Sequence, residues 1–174
     1  MTLSEIKWGL IAPTLKEIGL YSDTALNLVT GTGLVESGYR VTSQIGGGPA
    51  LGWFQMEPAT HDDIWRNYLV YRPELGKCLN GILGVSQNTG TFPSDHLLQT
   101  NPAYAAAMCR VKYLRVPAPL PPNNAVSLSL YHKKYYNTIL GKANATKNIP
   151  LFQTAIDAQA AANRIPKMQP QYFI

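Results

Sequence analysis

Apolar residues recur along the chain in short helical runs, separated by breaks rich in proline and glycine. Ser22-Asp23 stands before Ala25, Leu26, Leu28, Val29 and Leu34, which predicts a capped, largely buried helix ending near Glu36. Gly31 and Gly33 fall inside that run. They would weaken an exposed helix, but they let another backbone pack closely. Residues 38–55 lose the helical period; with Val41-Thr42, Trp53 and Phe54 among many glycines, they predict a loop with at most a short β-ribbon. Pro58 followed by Asp62 and Asp63 predicts a helix over 58–69, and Pro73 to Leu83 a shorter one. Asn101-Pro102 opens a helix in which Tyr104, Ala107, Met108, Val111 and Leu114 recur at helical spacing. Pro117 through Pro122 breaks it. A further helix over 124–137 carries Leu128, Tyr131 and Tyr135, and the last is predicted from Pro150 to Asn163, with an irregular tail over 166–174. The segment Met1–Trp8 is amphipathic, and no internal repeat is present. The pattern predicts a mainly helical single domain, residues 1–174, with a small β or loop region.

Composition narrows the class. A chain of 174 residues is long enough to bury a core without crosslinks, and 14% charged residues excludes both a disordered tail and a coiled coil. No apolar run reaches the length of a membrane span, and the first residues lack a signal-peptide core. The expected location is therefore a cytoplasm, until something else releases or delivers the protein. Cys78 and Cys109, 31 residues apart, make no metal motif and are expected as free thiols. Charge is uneven. Residues 1–87 hold six Lys/Arg against eight Asp/Glu, a formal −2, whereas residues 88–174 hold nine against two, a formal +7. A basic half suits a polyanion such as a bacterial wall, a phospholipid surface or nucleic acid. Its cations are dispersed, with Lys133-Lys134 the only adjacent pair, and ordinary surface solvation accounts for the same pattern.

The chemistry concentrates between residues 33 and 60. Gly33-Leu-Val-Glu36-Ser37-Gly38-Tyr39 places an acid at the end of the apolar run, and Gly52-Trp53-Phe54-Gln55-Met56-Glu57-Pro58-Ala59-Thr60 follows a glycine-rich loop. An acid facing a groove lined by aromatic and amide groups is what glycosidic cleavage needs: the acid protonates the leaving oxygen while the groove holds the sugar. An apolar setting keeps such an acid protonated. The competing reading of Glu36 is a solvated residue at a helix end. His61-Asp62-Asp63 reads as a first-turn charge cluster, since consecutive helical residues point in different directions. Gly46-Gly47-Gly48 lacks the following Lys-Ser/Thr of a phosphate loop.

These motifs resemble those of lytic transglycosylases and goose-type lysozymes. Glu36-Ser37 is similar to their Glu-Ser signature, 52–60 to their Gly-Leu-Met-Gln-x-x-Pro-x-Thr element, and Ala125–Tyr131 to the Ala-Tyr-Asn helix that closes their groove. The resemblance covers residues 22–140. Trp53-Phe54 departs from Leu-Met, and His132 follows Tyr131 where the family has Asn; Gln44 and Gly46–Gly48 occupy a loop of variable length. The resemblance implies an α+β lysozyme-like fold and cleavage of the β-1,4 bond between N-acetylmuramic acid and N-acetylglucosamine in peptidoglycan. It implies Glu36 as general acid and base, Ser37 close beside it, and Gln55 and Tyr131 as sugar-binding residues. An ordinary helix-end serine, a turn amide satisfying buried backbone and a packing tyrosine are the competing readings. Trp53 and Phe54 suit stacking on pyranose faces by their side chains, with one of the two expected in the core. The resemblance implies no cofactor and no metal.

Two mechanisms stay open. A transglycosylase uses one carboxyl group twice, with the muramic 6-hydroxyl closing a 1,6-anhydro ring. An inverting hydrolase needs a second carboxylate to activate water. Glu57 is the candidate, because it stands where goose-type lysozymes carry an Asp; Asp62 and Asp63 are further ones. Pro58-Ala59-Thr60 resembles the one-carboxylate branch. Compact size and the absence of a separate wall-binding module look like a bacteriophage lysis enzyme or a virion-borne wall-degrading domain, expected as a monomer, with a holin or the virion as partner and the host cytoplasm or virion as location. A rival is a virion protein that keeps the fold and binds sugar without cutting it. A nucleic-acid-binding protein lacks any helix-turn-helix, RNP or zinc pattern.

Overall fold

The helices over Asp23–Glu36 and Pro102–Leu114 are buried along most of their length and form the middle of the structure, and the others cover them. The computed structural model describes residues 1–40, 48–84, 92–137 and 144–160. A π-helical stretch, Glu5–Ile11, runs into α1 (Ala12–Glu17); α2 spans Asp23–Glu36, α3 Pro58–Asn67, α4 Pro73–Ile82, α5 Leu97–Thr100, α6 Pro102–Leu114, α7 Ala125–Tyr135 and α8 Ala145–Asp157. A single 3-10 turn, Leu69–Tyr71, follows α3. The chain is thus mainly helical. Among the described residues its β structure is one antiparallel bridge, Leu51 to Met56; Val41-Thr42, Gln44 and Gly46-Gly47 lie outside them.

Helix α2 is buried continuously from Ala25 to Gly33, with α6, α7, α8 and the N-terminal helix around it. A helix buried all round must satisfy its own polar side chains. Thr30 and Thr32 do so by donating to the carbonyls of Leu26 and Leu28, at 2.7 and 2.8 Å. Its start is fixed by Ser22, whose Oγ accepts from the Ala25 amide at 3.0 Å. The glycines of α2 admit side chains rather than the second backbone the sequence suggests. Phe152 of α8 lies against Gly31, and the Tyr39 ring against Gly33. Helix α6 is the second central element: Tyr104 through Val111 and Tyr113 are buried, with α1, α3, α4 and α5 packed along it.

Three boundaries depart from the sequence expectation. The amphipathic amino terminus is a full helix burying Ile6, Ile11, Ala12 and Leu15, with the widened π turn ending just ahead of Pro13. The short helix α5 has too few residues to show a period. Helix α8 begins at Ala145, ahead of Pro150, because the Asn144 side chain accepts from the Lys147 amide. Pro150 then sits inside the helix and forgoes one backbone bond, while Phe152 and Ala155 beyond it are fully buried. The far end of α8 is held by the amino-terminal helix: Lys7 Nζ donates to the carbonyls of Ala155 and Ile156, and Trp8 Nε1 to that of Ala158.

Candidate functional site

Glu36 is the last residue of α2, where the inward-facing run gives way to the turn through Gly38 and Tyr39. Its side chain keeps 13% of its exposure, and Oε1 lies 2.8 Å from Nε2 of His132, which has none. His132 comes from α7, 96 residues along the chain. Its ring stacks on Tyr136, with planes 17° apart, and faces Phe152 of α8 on another side. The other ring nitrogen, Nδ1, is buried without a hydrogen-bond partner.

The residue after the acid ties the helix to the aromatic turn. Ser37 Oγ donates to the Trp53 carbonyl at 2.7 Å and accepts from the Tyr39 amide at 3.1 Å. Tyr39 in turn meets Trp53 and Phe54 edge to face, and its hydroxyl donates to the Thr30 carbonyl. The turn itself is closed by the Leu51–Met56 bridge and by Gln55 Nε2, which donates to Gly52 O at 2.9 Å. Phe54 O accepts from the Tyr136 hydroxyl at 2.7 Å. Tyr39 and Gln55, at φ 58° and 46°, are the non-glycine residues with left-handed backbone among those described. Such strain persists only where the surroundings hold it. Both residues lie in the two segments that flank the acid.

One cation stands by. Lys112 of α6 donates from Nζ to the Tyr136 carbonyl at 3.0 Å and sits 3.7 Å over that residue's ring. Burial lowers its pKa, opposed by the negative charges of Glu36 and Glu57. Lys112 and the negative end of the α2 dipole bear on the Glu36 carboxyl in opposite senses. Burial pushes the hydroxyls of Tyr39, Tyr113 and Tyr136 and the thiol of Cys109 far up, so they remain protonated and serve as donors and packing.

The structure ties Ser37, next to Glu36, to the Trp53 carbonyl, spends the Gln55 amide on the Gly52 carbonyl of its own turn, and separates the rest by role. Phe54 is 1% exposed and belongs to the core, whereas Trp53 is half-buried and able to present a face. Tyr131 is buried, its hydroxyl on the Ala118 carbonyl and its ring between Tyr113 and Tyr135. Glu57 is exposed in the N-cap position of α3 and makes no cap bond. Asp62 pairs with His61, and Asp63 with Arg115 at 2.5 Å. Cys78 and Cys109 are free thiols. Among the described residues no His, Cys, Asp and Glu side chains gather in a group able to hold a metal, and no helix is long and apolar enough to cross a membrane.

His132 and Lys112 were not legible as site residues. His132 stands out in the sequence only as a departure from a motif, and its partner is fixed by tertiary packing. No protein-family profile, curated protein or solved structure matches the chain.

Proposed function

We propose that the protein cleaves the glycan strands of peptidoglycan, with Glu36 as the acid that protonates the glycosidic oxygen and Trp53 as a stacking surface for a pyranose ring. One observation carries this reading: the nearly buried Glu36 carboxyl is bonded to a histidine 96 residues away, and the serine beside it is tied to the aromatic turn. The acid-serine pair is joined to the aromatic turn by the Ser37–Trp53 hydrogen bond, and the helix beginning at Ala125 supplies His132 to Glu36. A surface glutamate at a helix end has no need of such support.

In the transglycosylase form, the Glu36 proton passes to the leaving oxygen as the C–O bond breaks. The resulting carboxylate takes the proton of the muramic 6-hydroxyl, whose oxygen closes the anhydro ring. His132 Nε2, 2.8 Å from Oε1, would stabilise the carboxylate between those steps, with the charge of Lys112 as a longer-range contribution. A second reading, hydrolysis with Glu57 as base, is favoured by one feature: Glu57 is exposed, unbonded at its cap and close enough to act on the same Lys112. In either form the reading is of a wall-degrading enzyme of a bacteriophage, released at lysis or carried on the virion.

Digestion of purified sacculi followed by mass spectrometry of the muropeptides tests both. Anhydro ends are expected. Reducing ends, heavier by one water, replace the first mechanism by the second. Intact sacculi after prolonged incubation overturn the enzyme reading and favour a sugar-binding protein.

A further inference from the structure

We propose that His132 is a positioning residue for Glu36: in the neutral imidazole it carries its proton on Nε2 and donates it to Oε1, leaving Oε2 as the oxygen that delivers the acidic proton. The consequence for catalysis rests on the proposed role of Glu36; the placement of the proton does not.

The argument turns on the far side of the ring. His132 has no exposed surface, and Nδ1 is buried with no partner. The imidazole stacks on the Tyr136 ring and lies beside that of Phe152. Three arrangements could make the 2.8 Å contact to Oε1. With the proton on Nδ1, Nε2 must accept from a protonated Glu36, and a buried N–H is left unpaired. An imidazolium also leaves that N–H unpaired, with a charge added. With the proton on Nε2, only a lone pair is left unused at the buried Nδ1. Orphaned buried donors are rarer and costlier than under-used acceptors, so the third arrangement is the stable one.

The other ionisable groups nearby do not change this order. Glu36 comes from α2; Lys112 from α6 is directed to the Tyr136 carbonyl. Cys109 and Tyr113 from α6, and Tyr136 of the segment following α7, are kept neutral by burial. Phe152 from α8 carries no charge. A neutral Nε2–H donor suits both states of the acid, because Oε1 accepts from it as a carboxylate oxygen and as the carbonyl oxygen of the protonated group. His132 therefore keeps its proton throughout. The proton that moves is the one on Oε2, and the carboxyl group does not rotate between its two tasks.

Long-range ¹H–¹⁵N correlation spectra of the labelled wild-type protein at pH 8 test the assignment. The chain has three histidines, and His132 is identified by the signals missing from a His132→Gln sample. A protonated, pyrrole-like Nε2 and a pyridine-like Nδ1 are expected; the reverse pattern overturns the proposal. On sacculi, His132→Ala should lose about 10- to 100-fold in kcat, the range of a hydrogen bond to a charged group, with KM little changed. His132→Gln, whose amide can donate from nearly the same place, should recover most of it. Equal loss in the two variants, with both folded by circular dichroism, overturns the positioning role. If wild type leaves sacculi intact, the reading of Glu36 fails, and the spectra still decide the tautomer.

Discussion

At the residue scale, Glu36 and Glu57 differ in how firmly the structure holds them. Glu36 is fixed from one side by His132 and joined through Ser37 to the turn, whereas Glu57 is exposed with no cap bond. Glu36→Gln is nearly isosteric and can still accept from His132, so its melting temperature should stay close to wild type. Its rate of wall lysis should fall on the order of 10²–10⁴. Turbidity of permeabilised cells, read beside a thermal melt, checks both halves. Wild-type lysis would end the assignment. Glu57→Gln separates the mechanisms: a modest effect with persisting anhydro products is expected, and a loss as deep as that of Glu36→Gln would make Glu57 the base of a hydrolase.

At the scale of elements, the structure depends on close approach between α2 and its neighbours. An ideal Cβ on Gly31 would clash with Cδ1 of the fully buried Phe152, on a helix packed against both α2 and α7. Gly31→Ala should destabilise by about 1–3 kcal/mol, the usual result of overpacking, measured by denaturant unfolding; an unchanged midpoint would contradict the packing. Caps are a smaller contribution. Asn124→Ala removes the acceptor for the Ser127 amide at the start of α7 and should cost about 1 kcal/mol. These starts were readable in the sequence, since Ser22, Asn101 and Asn124 mark them and the side-chain bonds are local. Helix α8 was misread because Pro150 looks like a first-turn proline, while the true cap, Asn144, has no apolar run immediately after it. The partner of Glu36 was unreadable for a different reason: only the packing of α7 against α2 sets which α7 side chain reaches the acid.

Across the whole molecule, the basic second half is less available than its count of +7 suggests. Arg110 is buried, Lys112 turns inward to Tyr136, and Arg115 pairs with Asp63. Lys134 and Lys147 are the exposed candidates among the described residues, and Lys142 lies outside them. Binding to intact sacculi should weaken as salt rises, because exposed charges are screened beyond about 8–10 Å at ordinary ionic strength. Charge reversal of Lys134 and Lys147 together should remove much of that dependence in a pull-down. Cleavage of a short uncharged chitooligosaccharide, if it is a substrate, should respond little to salt. Equal sensitivity for both substrates would leave the charge asymmetry as a solubility feature.

The turn around Trp53 is held through its carbonyls as well as by the buried Phe54 and Met56 side chains. Its carbonyls are bonded by Ser37, Gln55 and Tyr136, and Gly52, at φ 71°, lies where any side chain would strike the Leu98 carbonyl. Position 53 contributes a carbonyl to that framework, and every residue has one. Its ring also rests edge to face on Tyr39, a contact that another aromatic residue can keep. Exchange among aromatic residues there keeps the Tyr39 contact and the carbonyl bonds, and changes only the half-buried face offered to the proposed sugar, so it should alter binding at small cost in stability.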